Sequence, residues 1–160
     1  MKQLMWIEEA RKHIGLKEVR TNYHPTIKSW QKELECEWLG NVPWCGIFVA
    51  HCLKTANKPY PKDFWAAKSF ESTPVELDRP AVGCIVVFPR QGGNHVGFVV
   101  GKDDKGNIMV LGGNQGDGVN IKPFAATRRR KYYWPSIYPT VERFNLPIIH
   151  SNYTFSENEG

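Results

Sequence analysis

Apolar positions recur at helical spacing near the start of the chain, where Leu4, Ile7, Ala10 and Ile14, with Arg11 among them, form one stripe ahead of Gly15. A 3.6-residue period closed by glycine predicts a helix over residues 4–14. The stretch TNYHP (Thr21 to Pro25) reads as a loop, and Ile27, Trp30 and Leu34 then share one side of a second helix. Pro43 disfavours helical geometry at Val42 but suits a first helical turn. A third helix is therefore expected from Pro43 to about Ala56, with Cys45 in its first turn. NKPYPKDF is a Pro-rich loop, and WAAKSF is read as a further short helix.

After LDRPAVG the texture changes. CIVVF, HVGFVVG and NIMVLGG are short, β-branched and bounded by Gly, Pro, Asn or Asp, which is the pattern of consecutive antiparallel strands. DDKGN (Asp103 to Asn107) supplies a hairpin turn, and GVNIKPF and RKYYWPSIY are candidates for two more strands. Helices first and a meander afterwards make an α+β fold.

A chain of 160 residues can bury one core. One catalytic domain is expected over residues 1–140, followed by an extension over 141–160 whose polar end, SNYTFSENEG, frays. The four cysteines, Cys36, Cys45, Cys52 and Cys84, contain no C-x-x-C pair. Their spacing matches neither zinc nor haem patterns, and they are too sparse for a disulfide scaffold, so free thiols and no metal are expected. MKQLMWIEEARKHIG lacks the continuous apolar core of a secretory signal, and nothing approaches the roughly 18 apolar residues of a membrane span. The sequence is read as a cytoplasmically made chain and a monomer. Its formal net charge of +5 favours a polyanionic partner: nucleic acid, anionic lipid or the acidic polymers of a bacterial wall.

Candidate chemistry gathers around NVPWCGIFVAHC (Asn41 to Cys52). A thiol attacks as thiolate, and the first turn of a helix lowers its pKa through unpaired N–H groups and the macrodipole. Cys45 meets that condition, whereas Cys52 lies about two turns deeper and is assigned to the core. A nucleophilic cysteine also needs an imidazole. His51 is excluded, because six residues of helix rotate it away from Cys45 and lift it roughly 9 Å along the axis. His95 in GNHVGFVVG is the better candidate, with His95, Gly97 and Val99 on one face of a strand and Gly97 leaving room beside the ring for a helix or substrate. LGGNQGDG (Leu111 to Gly118) offers Asn114 and Gln115, then Asp117, as groups to orient that imidazole. Read singly, each element has a plain structural alternative: a core cysteine, a hydrogen-bonded strand histidine, and a turn in which Asn tolerates left-handed geometry.

The ordered set PWCGIFVAHCL, GCIVVFPRQGGNHVGFVVG and LGGNQGDGVNI resembles the CHAP group (cysteine, histidine-dependent amidohydrolases/peptidases) and its NlpC-like relatives in the papain-like superfamily. ARKHIGLKEV, NYHP and YYWP resemble a subgroup of small bacterial and phage proteins of this kind, so the likeness spans roughly Trp6 to Pro135. The resemblance implies a papain-like body, with amino-terminal helices packed on a central antiparallel sheet of about five to six strands. It implies Cys45 as nucleophile, His95 as general base and then acid, and Asn114 as the orienting residue. Tyr23, His24, Trp44 and Gln115 are candidates for substrate or oxyanion contacts. The chain departs from relatives that carry Gly-Asp at Gly83-Cys84 and a glutamate at Gly112.

The implied substrate is peptidoglycan, cleaved at an amide in or next to the stem peptide, with no cofactor. A phage endolysin released through a holin is the expected role. An effector amidase paired with an immunity protein has the same chemistry. Other classes are a catalytically dead wall-binding module and a nucleic-acid binder, since RRRKYYW (Arg128 to Trp134) interleaves cations with aromatics as single-strand platforms do. A terminal strand with solvated charges is favoured over that last reading, so nucleic acid is not the expected partner.

Overall fold

The computed structural model describes residues 1–18, 24–125, 127, 128 and 130–150. Helices α1 (Met5–Lys12), α2 (Pro25–Glu33) and α3 (Cys45–Thr55) come first, and strands β1 (Val75–Leu77), β2 (Ile85–Arg90), β3 (Gly93–Lys102), β4 (Ile108–Gly112), β5 (Asn120–Phe124) and β6 (Lys131–Trp134) follow. All six strands join one antiparallel sheet in the order β1-β6-β2-β3-β4-β5. The fold is α+β. WAAKSF enters a 3-10 helix, Ala67–Ser72, rather than an α-helix. The three-residue β1 has no sequence signal of its own and is held by its pairing with Tyr132, Tyr133 and Trp134. Both edges resist further pairing, one by the shortness of β1 and the other by Pro123 in β5.

α3 is apolar nearly all round, and Cys45 through Leu53 are all buried. A helix of that composition belongs inside the molecule. It packs against α1, α2, β3 and β4. Cys52 is fully buried, as expected of a core residue, and burial pushes its thiol well up. All four cysteines are free. Two glycines set the close approaches. A Cβ on Gly46 would run into the backbone carbonyl of Phe64, and one on Gly97 would lie 2.6 Å from Val110 Cγ1. The space expected beside Gly97 for a helix or substrate is thus filled by the neighbouring strand β4.

Residues 141–149 return to the body. Arg143 is buried and its guanidinium donates to Lys2 O, while Val82 N donates to Arg143 O at 2.7 Å and Ile149 N to Lys102 O at 2.7 Å. The polar tail over 151–160 lies outside the described residues. RRRKYYW loses its likeness to a base-stacking platform, because Tyr132, Tyr133 and Trp134 are buried in β6. Arg128 spends its guanidinium on the Phe88 ring, 4.5 Å from the centroid, and Arg129 lies outside the described residues.

Gly46→Ala forces a methyl group against backbone rather than a pliable side chain, so it should cost about 1–3 kcal/mol. Urea unfolding of the two proteins checks this.

Candidate active site

Cys45 is the first residue of α3, and its N-cap, Trp44, makes no side-chain capping bond. The first turn of a helix leaves N–H groups without intrahelical partners, and the macrodipole favours a negative charge there. His95 comes from β3, paired with Phe88 of β2. The fold thus brings together two side chains fifty residues apart in sequence. Burial pushes the Cys45 thiol up, but hydrogen bonding and charge attraction from His95, the Val96 N–H and the charge of Arg90 outweigh it and leave the thiol below its ordinary value. Burial raises the thiols of Cys36, Cys52 and Cys84, taking Cys84 to about 12. Cys45 alone among the four is poised to ionise.

The other side of the imidazole is held by Gln115. His95 Nε2 lies 3.0 Å from Gln115 Oε1. The orientation of the carboxamide is dictated by its nitrogen, which donates to Val110 O at 3.2 Å, Asn120 O at 3.0 Å and Asn120 Oδ1 at 2.9 Å. Three acceptors around the NH2 leave the oxygen to face His95, which must then carry its proton on Nε2. Nδ1 is buried without a hydrogen bond of ordinary geometry among the described residues, and it is the nitrogen left for the thiol. Phe88 and Phe124 flank the ring, with centroids 5.4 and 5.9 Å away, the second nearly parallel.

Of the two adjacent residues, Asn114 and Gln115, it is Gln115 whose side chain is hydrogen-bonded to His95. Asn114 adopts left-handed backbone geometry, φ 58°, in the turn after β4, and it makes no hydrogen bond to His95 among the described residues. The turn folds back so that Gln115 N bonds to Gly118 O, and the longer Gln115 side chain reaches the ring. Gly112 makes this possible: a Cβ there would collide with Gln115 Oε1 and come within 3.5 Å of His95 Nε2. The space beside Gly112 is filled by the carboxamide of Gln115, arriving from three residues further on. Gln115 is a hydrogen-bond partner of His95.

Trp44 is fully buried between Trp30, 6.2 Å away by centroid, and the backbone of Gly113, so it packs the core and offers no face to a ligand. His24 caps α2, its Nδ1 accepting from Thr26 N at 3.1 Å, and no hydrogen bond or ring contact joins it to Cys45 or His95 among the described residues. Tyr23 lies outside the described residues. His51 is absent from the site, as its position in the helix requires. Both of its nitrogens bond to carboxylates, Nε2 to Glu9 and Nδ1 to Glu33. Sequence reasoning did not find Phe88 and Phe124, whose only signal was alternation along β2 and β5 once the register is known.

Two outcomes follow from this geometry. Alkylation by iodoacetamide should modify Cys45 first, at a pH below that of an ordinary thiol (about 8.5), and His95→Ala should move the profile upward; peptide mass mapping across pH checks it. Gln115→Ala should lower turnover at least about tenfold by freeing the imidazole, whereas Asn114→Gly should leave turnover close to wild type. Steady-state kinetics on both variants distinguish the two residues.

Residues 38–114 match the CHAP domain family, a stretch that holds both Cys45 and His95 and stops one residue short of Gln115. No curated protein and no solved structure matches the chain. The matched stretch carries the cysteine and histidine after which the family is named, and it supports a CHAP-type assignment for residues 38–114.

Proposed function

We propose that this chain hydrolyses an amide bond in or next to the stem peptide of peptidoglycan by thiol catalysis, as a lysin acting on the wall after release. The observation that carries the reading is that His95, hydrogen-bonded to Gln115, lowers the thiol of Cys45, the first residue of α3, while the other three thiols are raised. The CHAP family match supports peptidoglycan as the substrate. The net charge of +5 supports attraction to wall carboxylates and phosphates. No helix among the described residues is long and apolar enough to cross a membrane.

In this mechanism His95 Nδ1 takes the proton of the Cys45 thiol, and the thiolate adds to the substrate carbonyl carbon. The carbonyl oxygen becomes an oxyanion beside the amino-terminal N–H groups of α3, including that of Cys45. The C–N bond then breaks, with the imidazolium delivering its proton to the departing amine. An acyl thioester remains on Cys45. Water adds to it as His95 Nδ1 removes a proton, and the C–S bond breaks to release a carboxylic acid and restore the pair. Gln115 Oε1 holds Nε2–H throughout, so the same nitrogen serves both steps. Cys45 is 3% exposed and His95 fully buried, so the substrate enters as a narrow segment presented to the helix start.

Cys45→Ala should abolish release of soluble fragments from purified sacculi while leaving the circular dichroism spectrum intact. Mass spectrometry of the fragments made by the wild type identifies the bond. Full fragment release by a folded Cys45→Ala protein would overturn the mechanism.

A further inference from the structure

A second cluster of chemically capable groups lies away from the catalytic pair, where α1, α2 and α3 meet. Glu9 lies in α1 and His13, four residues on, is that helix's C-cap, and His51 faces them from α3. Glu9 Oε2 lies 2.8 Å from His13 Nε2 and 2.8 Å from His51 Nε2, and the donor atoms of the three residues all fall within 4.8 Å of one another. Two imidazole nitrogens and a carboxylate oxygen thus converge on one point. Behind it, His51 Nδ1 bonds to Glu33 Oε2 of α2 at 2.7 Å, and Trp30 stacks on the His51 ring at 5.1 Å.

We propose that Glu9, His13 and His51 bind one Zn2+ ion, with Glu33 as the carboxylate that orients His51. Four physical points support the assignment. Two imidazoles and one carboxylate suit zinc, whereas calcium and magnesium take oxygen. A metal-bound histidine almost always donates its other N–H to a carboxylate or carbonyl, and the His51–Glu33 bond has that form. His51 sits between two carboxylates, Glu9 at Nε2 and Glu33 at Nδ1, so that zinc at Nε2 would leave Nδ1–H to donate to Glu33. Finally, the site is built yet reachable. Glu9 and His51 are buried, His13 keeps a 20% exposed side chain, and Lys12, which reaches Glu9 Oε1 at 3.3 Å, is 70% exposed and free to swing away. Three protein ligands would leave a fourth position for water on that open side. The ion would tie α1 to α3, the helix that begins with Cys45. The spacing of the cysteines could not reveal this site, because it contains none.

The test uses the full chain carrying Cys45→Ser, so that the nucleophile cannot take metal. After dialysis against a chelator, Zn2+ alone is titrated by calorimetry, and the melting temperature is read with and without it. One equivalent of zinc and a raised melting temperature are expected. His13→Ala should weaken binding at least about tenfold and remove the thermal shift, and Glu33→Gln, which leaves the three ligands in place, should weaken it roughly 10–100-fold. Circular dichroism reports whether His13→Ala folds. If it does not, His13→Gln, which keeps a hydrogen-bond donor for Glu9 but is a poor zinc ligand, takes its place. Co2+ gives a readout that needs no variant: four-coordinate d–d bands without a thiolate-to-metal charge-transfer band are expected. Unchanged affinity in the folded His13 variant, a thiolate band with Co2+, or no binding of Zn2+ would overturn the proposal.

Discussion

An imidazole can pass a proton to and fro only if one of its nitrogens is committed and the other is left available. In this chain the commitment is made by one hydrogen bond, from His95 Nε2 to Gln115 Oε1 at 3.0 Å. The bond depends on the carboxamide being unable to flip, and three carbonyl oxygens around its nitrogen see to that. Those oxygens belong to β4 and to Asn120 at the start of β5. The proton position on His95 is therefore set by the pairing of two strands that do not themselves contain the histidine.

The same reasoning explains why the pair tolerates burial. A buried thiol is ordinarily driven towards its neutral form, as Cys52 and Cys84 are. At Cys45 the penalty is offset by groups drawn from separate parts of the fold: the imidazole, the Val96 N–H and the charge of Arg90. The helix start adds its own dipole. None of these groups is costly to supply, because each sits on the sheet or helix for structural reasons already. The close packing that brings them together relies on positions without side chains, namely Gly97 against Val110, Gly112 against Gln115 and Gly113 against Trp44 and Phe48. Glycine here serves interpenetration of helix, turn and sheet more than backbone freedom.

The three-helix junction is organised differently. Its polar groups face one another rather than a substrate, and although burial pushes the Glu9 carboxyl up, its bonds with His13 and His51, the charge of His51 and the bond with Lys12 bring it down to about 2. A carboxylate so strongly committed, shared by two imidazoles, anchors α1 to α3. The helix that carries Cys45 is thus fixed along its length by apolar packing and at its middle by a charged junction.

Periodicity and the proline and glycine stops determined the three α-helices and five of the six strands and their order, because a 3.6-residue stripe and a two-residue alternation leave different marks on any chain. They placed Cys45 in a first helical turn, marked His95 on a strand and excluded His51. What they could not determine was which of two adjacent polar residues, Asn114 or Gln115, meets the imidazole. That choice turns on a left-handed residue, on the hydrogen bond from Gln115 N to Gly118 O, and on space left vacant by Gly112 in a neighbouring strand. The strand β1 and the junction of Glu9, His13 and His51 were hidden for a related reason. Each exists only through partners distant in sequence, and pairing across such distances is decided by the packed fold, not by any local pattern of residues.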